Sequence, residues 1–225
     1  MPNISIEQTA TEIYKSGIVP VFYHDDEITC QEVVSVCFRA GLRVFEFTSR
    51  GQRALANFKT IKSYIQKNCP GMLLGAGTIF NNRAALEFIN EGADFVVSPA
   101  FIPSMVQVQS TYSTLWIPGC ATISELAQAR ELEVAMMKVF PGDLLQPAFV
   151  AAALSVMPKL RLMPTGGVEP TKDSLTRWFK SGVAAVGIGS KLFSQELVEQ
   201  KNWNDLEFRI EEVLKIVQQL RNPNE

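Results

Sequence analysis

Ala135-Met136-Met137-Lys138-Val139-Phe140-Pro141 is an apolar run with one charge inside it, closed by Pro141 and Gly142. A short run ended by proline and glycine reads as a buried strand. Strand parity puts Met136, Lys138 and Phe140 on one face and Met137 and Val139 on the other. An ammonium in such a run is costly unless it is paired, reaches solvent at the strand end, or loses its charge through a lowered pKa. A lysine whose charge is disfavoured is a nucleophilic amine, suited to forming a Schiff base with a ketone. On this stretch alone, that reading and a lysine that reaches solvent at the strand edge stand level.

The same kind of strand recurs on both sides of it. Upstream lie Ile18–Tyr23, Arg43–Thr48, Met72–Gly77, Asp94–Ser98 and Leu115–Ile117; downstream lie Leu160–Met163 and Ala184–Ile188. Helical patterns separate them: to about Ala40 before Gly41, Arg53 to Lys67, Asn82 to Asn90 before Gly92, from about Pro103, from near Thr122 or Ser124, to about Val156, and Thr171 to Lys180 before Gly182. Eight strands alternating with helices in 225 residues predict a parallel sheet closed as a compact (β/α)8 TIM barrel. A doubly wound open sheet is the alternative, but the first βα turn lacks the G-x-G-x-x-G of a dinucleotide site. A helix from Ile4 to Ser16, ended by Gly17, precedes the barrel. An amphipathic helix over about 203–220 follows it, with Leu206, Ile210, Val213, Leu214 and Val217 as an apolar stripe that packs on the barrel exterior. The expectation is one domain over 1–225, with its barrel core over about 18–193. Gly92–Ser98 and Gly182–Ile188 echo one another weakly, as similar βα units do.

Composition removes several classes of function. The net charge of -2 supplies no basic field for nucleic acid or an anionic membrane, and no apolar run approaches the roughly 20 residues of a membrane span. Met1–Ser16 mixes Glu7, Glu12 and Lys15 with scattered apolar residues, unlike a signal peptide. Cys30, Cys37, Cys69 and Cys120 form no C-x-x-C pair, and His24 is the only histidine, so no metal site is expected. Reduced thiols and a cytoplasmic location are the default. With one histidine, acid–base chemistry falls to carboxylate, lysine, tyrosine or water.

In a (β/α)8 barrel the active site lies at the C-terminal ends of the strands. By parity Val44, Glu46 and Thr48 share a face, with Arg50 just past the strand end. Glu46 either neutralises Lys138 as a buried ion pair or serves as a general acid or base beside an amine. The third strand ends Gly75-Ala76-Gly77-Thr78, small residues that let a ligand approach the backbone, followed by a hydroxyl. The fourth ends Ser98-Pro99-Ala100-Phe101, where Pro99 forms a rigid wall. The seventh and eighth end Pro164-Thr165-Gly166-Gly167 and Gly187-Ile188-Gly189-Ser190. Loops at these places bind phosphate on exposed N–H groups, although glycine also serves ordinary tight turns.

Gly75-Ala76-Gly77-Thr78, Lys138-Val139-Phe140-Pro141, Pro164-Thr165-Gly166-Gly167 and Gly189-Ser190, in that order and with Glu46 and Arg50, resemble the class I pyruvate aldolases. That family cleaves 2-keto-3-deoxy-6-phosphogluconate (KDPG) and 4-hydroxy-2-oxoglutarate (KHG). Ile117-Pro118-Gly119 also fits, and the resemblance runs from about Ile18 to Phe193. It implies that Lys138 forms the Schiff base, that Glu46 shuttles protons, and that Arg50 holds the pyruvate carboxylate. It further implies that Thr78 and Thr165 hydrogen-bond near the carbonyl, that Pro99 and Phe140 wall the pyruvyl pocket, and that Gly166, Gly167, Gly189 and Ser190 receive the distal phosphate. The implied substrate is a small, phosphorylated keto acid, the implied assembly a homotrimer, and no metal or organic cofactor is implied. The chemistry agrees: a protonated imine is itself the electron sink for the carbanion left by C–C cleavage.

Three stretches depart from the family's usual sequence. They are the acidic segment Tyr23-His24-Asp25-Asp26-Glu27, the segment Thr48-Ser49-Arg50-Gly51-Gln52 in place of a commoner leucine-arginine-threonine, and the long C-terminal helix. The first two flank the loops that select the substrate's tail. Competing readings are an aldolase for the galactonate epimer, a phosphate-binding barrel isomerase or synthase such as those of thiamine or tryptophan synthesis, and a non-catalytic sugar-phosphate-binding barrel. The last two need no imine lysine.

Overall fold

The structure is a computed structural model that describes residues 4–222. Helix α1 (Ile6–Ser16) leads into β1 (Ile18–Phe22), α2 (Glu27–Arg39), β2 (Val44–Thr48), α3 (Ala54–Asn68), β3 (Leu73–Gly77), α4 (Asn82–Asn90) and β4 (Phe95–Val97). A 3-10 turn, Pro103–Met105, opens onto α5 (Val106–Tyr112) and β5 (Leu115–Ile117). Then follow β6 (Gly119–Cys120), α6 (Ile123–Glu131), β7 (Met137–Val139), α7 (Gly142–Val156), β8 (Leu162–Pro164), α8 (Lys172–Lys180), β9 (Val186–Ile188), α9 (Gln195–Glu199) and α10 (Trp203–Arg221).

All strand pairs are parallel. The order β5-β4-β3-β2-β1-β9 forms one sheet and β6-β7-β8 a second. They are the two parts of one ring. β5 and β6 are a single barrel strand interrupted at Pro118, which has no N–H for the ladder but whose carbonyl accepts from Lys138 N at 2.8 Å. The ring closes between β8 and β9 through a parallel bridge, Thr165 to Gly187, and the bond Ala184 N to Leu162 O at 2.8 Å. The fold is the (β/α)8 TIM barrel that the alternation predicts. Several strands run shorter than their apolar stretches, β7 covering Met137–Val139 where the sequence suggests Ala135–Phe140.

Parity divides the core as expected for a barrel. Phe45, Phe47, Leu74, Ala76, Val96, Trp116, Met137, Val139 and Leu162 pack outward against the helices. Val19, Val44, Leu73, Phe95, Val97, Leu115, Ile117, Met136, Met163 and Ala185 fill the interior. Helix α1 plugs the N-terminal end of that interior with the fully buried Ala10 and Ile13. Its start is fixed by a capping box between Ser5 and Gln8. Its end is fixed by Gly17 at φ 68°, a left-handed position where Val217 also leaves no room for a side chain.

The amphipathic C-terminal stripe lies where the sequence puts it. Leu206, Ile210, Val213 and Val217 are buried and Leu214 is half-buried, with α10 packed on α2 and α8. Each fully buried side chain of this kind contributes about 1.5–3 kcal/mol. At the end of α10, the Arg221 guanidinium donates to the carbonyls of Tyr14, Lys15 and Ala184 and lies 4.2 Å from the Tyr14 ring centre. That contact ties the extension to the helix that plugs the barrel.

Candidate active site

Glu46 and Lys138 face each other across the barrel interior. Glu46, in β2, is in register with Val21 of β1 and Gly75 of β3; Lys138, in β7, is in register with Gly119 of β6 and Met163 of β8. The Lys138 Nζ is 3.8 Å from the Glu46 Oε1, and the side chains are 6% and 0% exposed. Of the three outcomes open to a lysine in this strand, the structure therefore takes pairing. Neither Glu46 oxygen accepts a hydrogen bond among the described residues. A desolvated carboxylate with free lone pairs beside an amine is a ready acceptor for a substrate proton. The ammonium is also 5.0 Å from the centre of the Phe140 ring, a cation–π distance.

Small residues make this space, though differently from the sequence expectation. Gly75 and Gly77 suggest room for a ligand at the backbone. In the structure a Cβ at Gly77 would overlap the Glu46 carboxylate, and one at Gly75 would overlap the Phe95 ring. The glycines accommodate neighbouring side chains, because a barrel interior is filled in layers by residues from several strands. Gly119 likewise lets the Pro99 backbone approach β6 closely. Pro99 is held there from behind: Trp116 Nε1 donates to Ser98 Oγ at 2.9 Å, and Ser98 Oγ donates to Ala100 O at 2.9 Å.

The remaining residues line the C-terminal rim. Thr78 follows β3 at φ 63°, an uncommon backbone for a β-branched residue and one that the sequence does not signal. Thr165 is buried, its Oγ1 without a hydrogen-bond partner among the described residues, and a Cβ on Gly187 would overlap it. Gly166 and Gly167 have φ of 91° and 67° and lie against Asp143 in the first turn of α7, so glycine is required there for both conformation and space. Gly189 accepts from Leu192 N at 2.8 Å, and Ser190 beside it is exposed. Arg50 stands exposed on the loop after β2, and its guanidinium makes no ion pair among the described residues. The structure thus brings Lys138, Glu46 and Phe140 into contact and sets Arg50, Thr78, Pro99, Thr165, Gly166, Gly167, Gly189 and Ser190 at the ends of the surrounding strands. Among the described residues no three His, Cys, Asp or Glu side chains converge as metal ligands do.

Another cleft, of about 540 Å3, opens at the N-terminal face between α1 and the residues that precede β3, β4 and β5. Its Lys62 and Asp94 are paired with each other at 2.7 Å, and Asp94 also accepts from Leu74 N. Those groups are committed to structure, whereas the Glu46 oxygens and Thr165 Oγ1 have no hydrogen-bond partner among the described residues.

The sequence profile described as KDPG and KHG aldolase matches residues 9–209. The chain belongs to the KDPG and KHG aldolase family. It is therefore an aldolase, a carbon–carbon lyase. A relative from Haemophilus influenzae, 2-dehydro-3-deoxy-phosphogluconate aldolase, is 26% identical over 214 residues, which are 94% of this chain and 97% of the relative. The 2-dehydro-3-deoxy-6-phosphogalactonate aldolase of Escherichia coli is 30% identical over 122 residues, 54% of this chain and 58% of the relative. In structure the chain is similar to the KDPG aldolase of Legionella pneumophila, solved with pyruvate captured as a covalent carbinolamine intermediate. The TM-score is 0.83 at 24% identity, over 91% of this chain and 97% of that one. Within this family member, the buried lysine and glutamate meet in the barrel interior. No helix of the described residues is long and apolar enough to cross a membrane.

Proposed function

We propose that this aldolase cleaves a 2-keto-3-deoxy-6-phosphoaldonate, with KDPG as the first candidate, to pyruvate and an aldehyde phosphate through an imine on Lys138. The observation that carries this reading is the Lys138 Nζ held 3.8 Å from a buried Glu46 whose oxygens accept no hydrogen bond among the described residues. Glu46 takes a proton from the Lys138 ammonium, and the neutral amine adds to the C2 ketone to give a carbinolamine. Glu46 returns that proton to the carbinolamine hydroxyl, which leaves as water, so a protonated imine and a Glu46 carboxylate remain. Glu46 then takes the proton of the C4 hydroxyl. The C3–C4 bond breaks, its electrons pass to the imine as an enamine, and the aldehyde departs. Glu46 returns the proton to C3, and water hydrolyses the imine to release pyruvate.

The rim residues take the remaining contacts. Arg50 holds the pyruvyl carboxylate with its planar fork. Thr78 and the buried Thr165 hydroxyl bond near the reacting carbonyl, and Pro99 and Phe140 wall the pyruvyl pocket. Gly166, Gly167, Gly189 and Ser190 present backbone N–H groups and a hydroxyl to the distal phosphate. The whole chain acts as one barrel domain in a homotrimer. Exposed apolar side chains after strand ends, Phe80 at 56%, Ile123 at 42% and Leu144 at 77%, suit burial against another copy. Four free, buried cysteines fit a cytoplasmic enzyme.

The galactonate epimer remains a second reading, favoured by the 30% identity to the E. coli phosphogalactonate aldolase. Comparing kcat/KM for pyruvate release from KDPG, its galactonate epimer and KHG decides between them. KDPG is expected to lead. Preference for the epimer replaces the substrate assignment, and turnover by Lys138→Arg at the wild-type rate removes the imine mechanism.

A further inference from the structure

The two loop segments that depart from the family's usual sequence, Tyr23–Glu27 and Thr48–Gln52, form one interlocked unit. Tyr23 leaves the end of β1 with its ring centre 5.5 Å from that of Phe47, and its hydroxyl donates to Asp25. The same hydroxyl sits directly on Gly51: a Cβ there would overlap it and would lie 2.6 Å from the Tyr23 Cζ. Asn57, only 1% exposed, closes the circuit from α3 by donating its side-chain amide to His24 O at 3.0 Å and Asp25 O at 2.9 Å. Gly51 O accepts from Ala54 N at 3.1 Å, so the glycine that Tyr23 supports also starts α3. Arg50 directly precedes Gly51, two residues past the end of β2 at Thr48.

We infer that Tyr23 is a positioning residue for substrate binding, bracing Gly51 so that the loop presents Arg50 to the pyruvyl carboxylate. This rests on the role proposed above for Arg50. A free guanidinium on a long, exposed side chain has many rotamers, so the backbone under it sets how often it meets the carboxylate. Asn57 is buried with its donors spent on the neighbouring loop, a commitment that makes sense if the relative placement of the two loops matters. Burial, and then the bond to Asp25, push the Tyr23 hydroxyl up to about 12, so it stays a donor throughout the neutral range.

The test is the pyruvate dependence of borohydride trapping on Lys138, in the wild type, Tyr23→Leu, Tyr23→Phe, Arg50→Ala and Tyr23→Leu/Arg50→Ala. Tyr23→Leu is expected to raise the half-saturating pyruvate about 10-fold, the scale of one lost binding contact, without changing the trapping rate at saturation. Tyr23→Phe, which keeps the ring, falls between it and the wild type. In the Arg50→Ala background Tyr23→Leu adds little, because the two act through one contact. If Tyr23→Leu fails to fold, Gly51→Ala is read in its place, since the added methyl displaces the hydroxyl. Unchanged half-saturation in a folded variant, or an equal shift with and without Arg50, overturns this inference while leaving the imine mechanism intact. A wild type that traps no pyruvate overturns the imine mechanism, and this inference with it.

Discussion

Lys138 and Glu46 are each unfavourable alone and acceptable together. With side chains 6% and 0% exposed, either charge left without the other is a buried ion in an apolar barrel. Lys138→Met is therefore expected to lower unfolding free energy by about 3 kcal/mol or more, read from urea denaturation. Adding Glu46→Gln is expected to recover much of that loss, while both variants stay inactive. No loss of stability in the single variant would mean that the pair is not a desolvated ion pair. Gly77→Ala tests the same contact from the other side. Its methyl overlaps the Glu46 carboxylate, so activity is expected to collapse while circular dichroism stays that of the folded barrel. Much of this site was legible in the sequence. The period-two pattern of a strand puts Lys138 and Glu46 on interior faces, and barrel geometry puts them at one end. The role of Gly75 and Gly77 was not, because the groups that fill their space, Phe95 and Glu46, come from neighbouring strands.

At the scale of elements, the C-terminal helix is held by a stripe and an anchor. The stripe was legible from its helical spacing. The anchor was not, because Arg221 reaches carbonyls on α1 and before β9, far away in sequence. Arg221→Ala is expected to destabilise the fold by about 1–3 kcal/mol through the loss of charge-assisted bonds to carbonyls. KM and kcat should stay the same, since the contact lies at the end of the barrel opposite the site. A changed KM with unchanged stability would contradict this division. Two interruptions also escaped the sequence reading. Pro118 splits the fifth barrel strand into β5 and β6, and Gln146, at φ 60° before Pro147, kinks α7. Both prolines are plain in the sequence. The parallel ladder and the packed helix continue past them because tertiary contacts outweigh local breakers.

Over the whole molecule, the barrel is closed and its thiols are sealed in. Burial pushes Cys30 and Cys120 from 9.0 up to about 12 and raises Cys37 and Cys69 as well. The folded state keeps protons that the unfolded chain releases above about 9, so the unfolded state binds fewer protons there and stability falls as pH rises. The loss is expected between about pH 9 and about pH 12, with full stability below that window. Urea midpoints on either side of about pH 9 measure it, and Cys30→Ala should flatten the slope. A slope unchanged by that substitution would assign the loss to other groups. The alternation of strands and helices made the barrel itself legible, because eight similar units leave few ways to bury their apolar faces. How the barrel is stoppered by α1, and how that stopper is tied to α10, depends on contacts between the two ends of the chain.

The central claim is that Lys138 is the nucleophile. Incubating the protein with pyruvate, reducing with borohydride and locating the adduct by peptide mass spectrometry tests it most directly. A reduced pyruvyl group on Lys138, lost in Lys138→Arg, is the predicted result. An adduct on another lysine, or none in a protein shown to be folded, would contradict it.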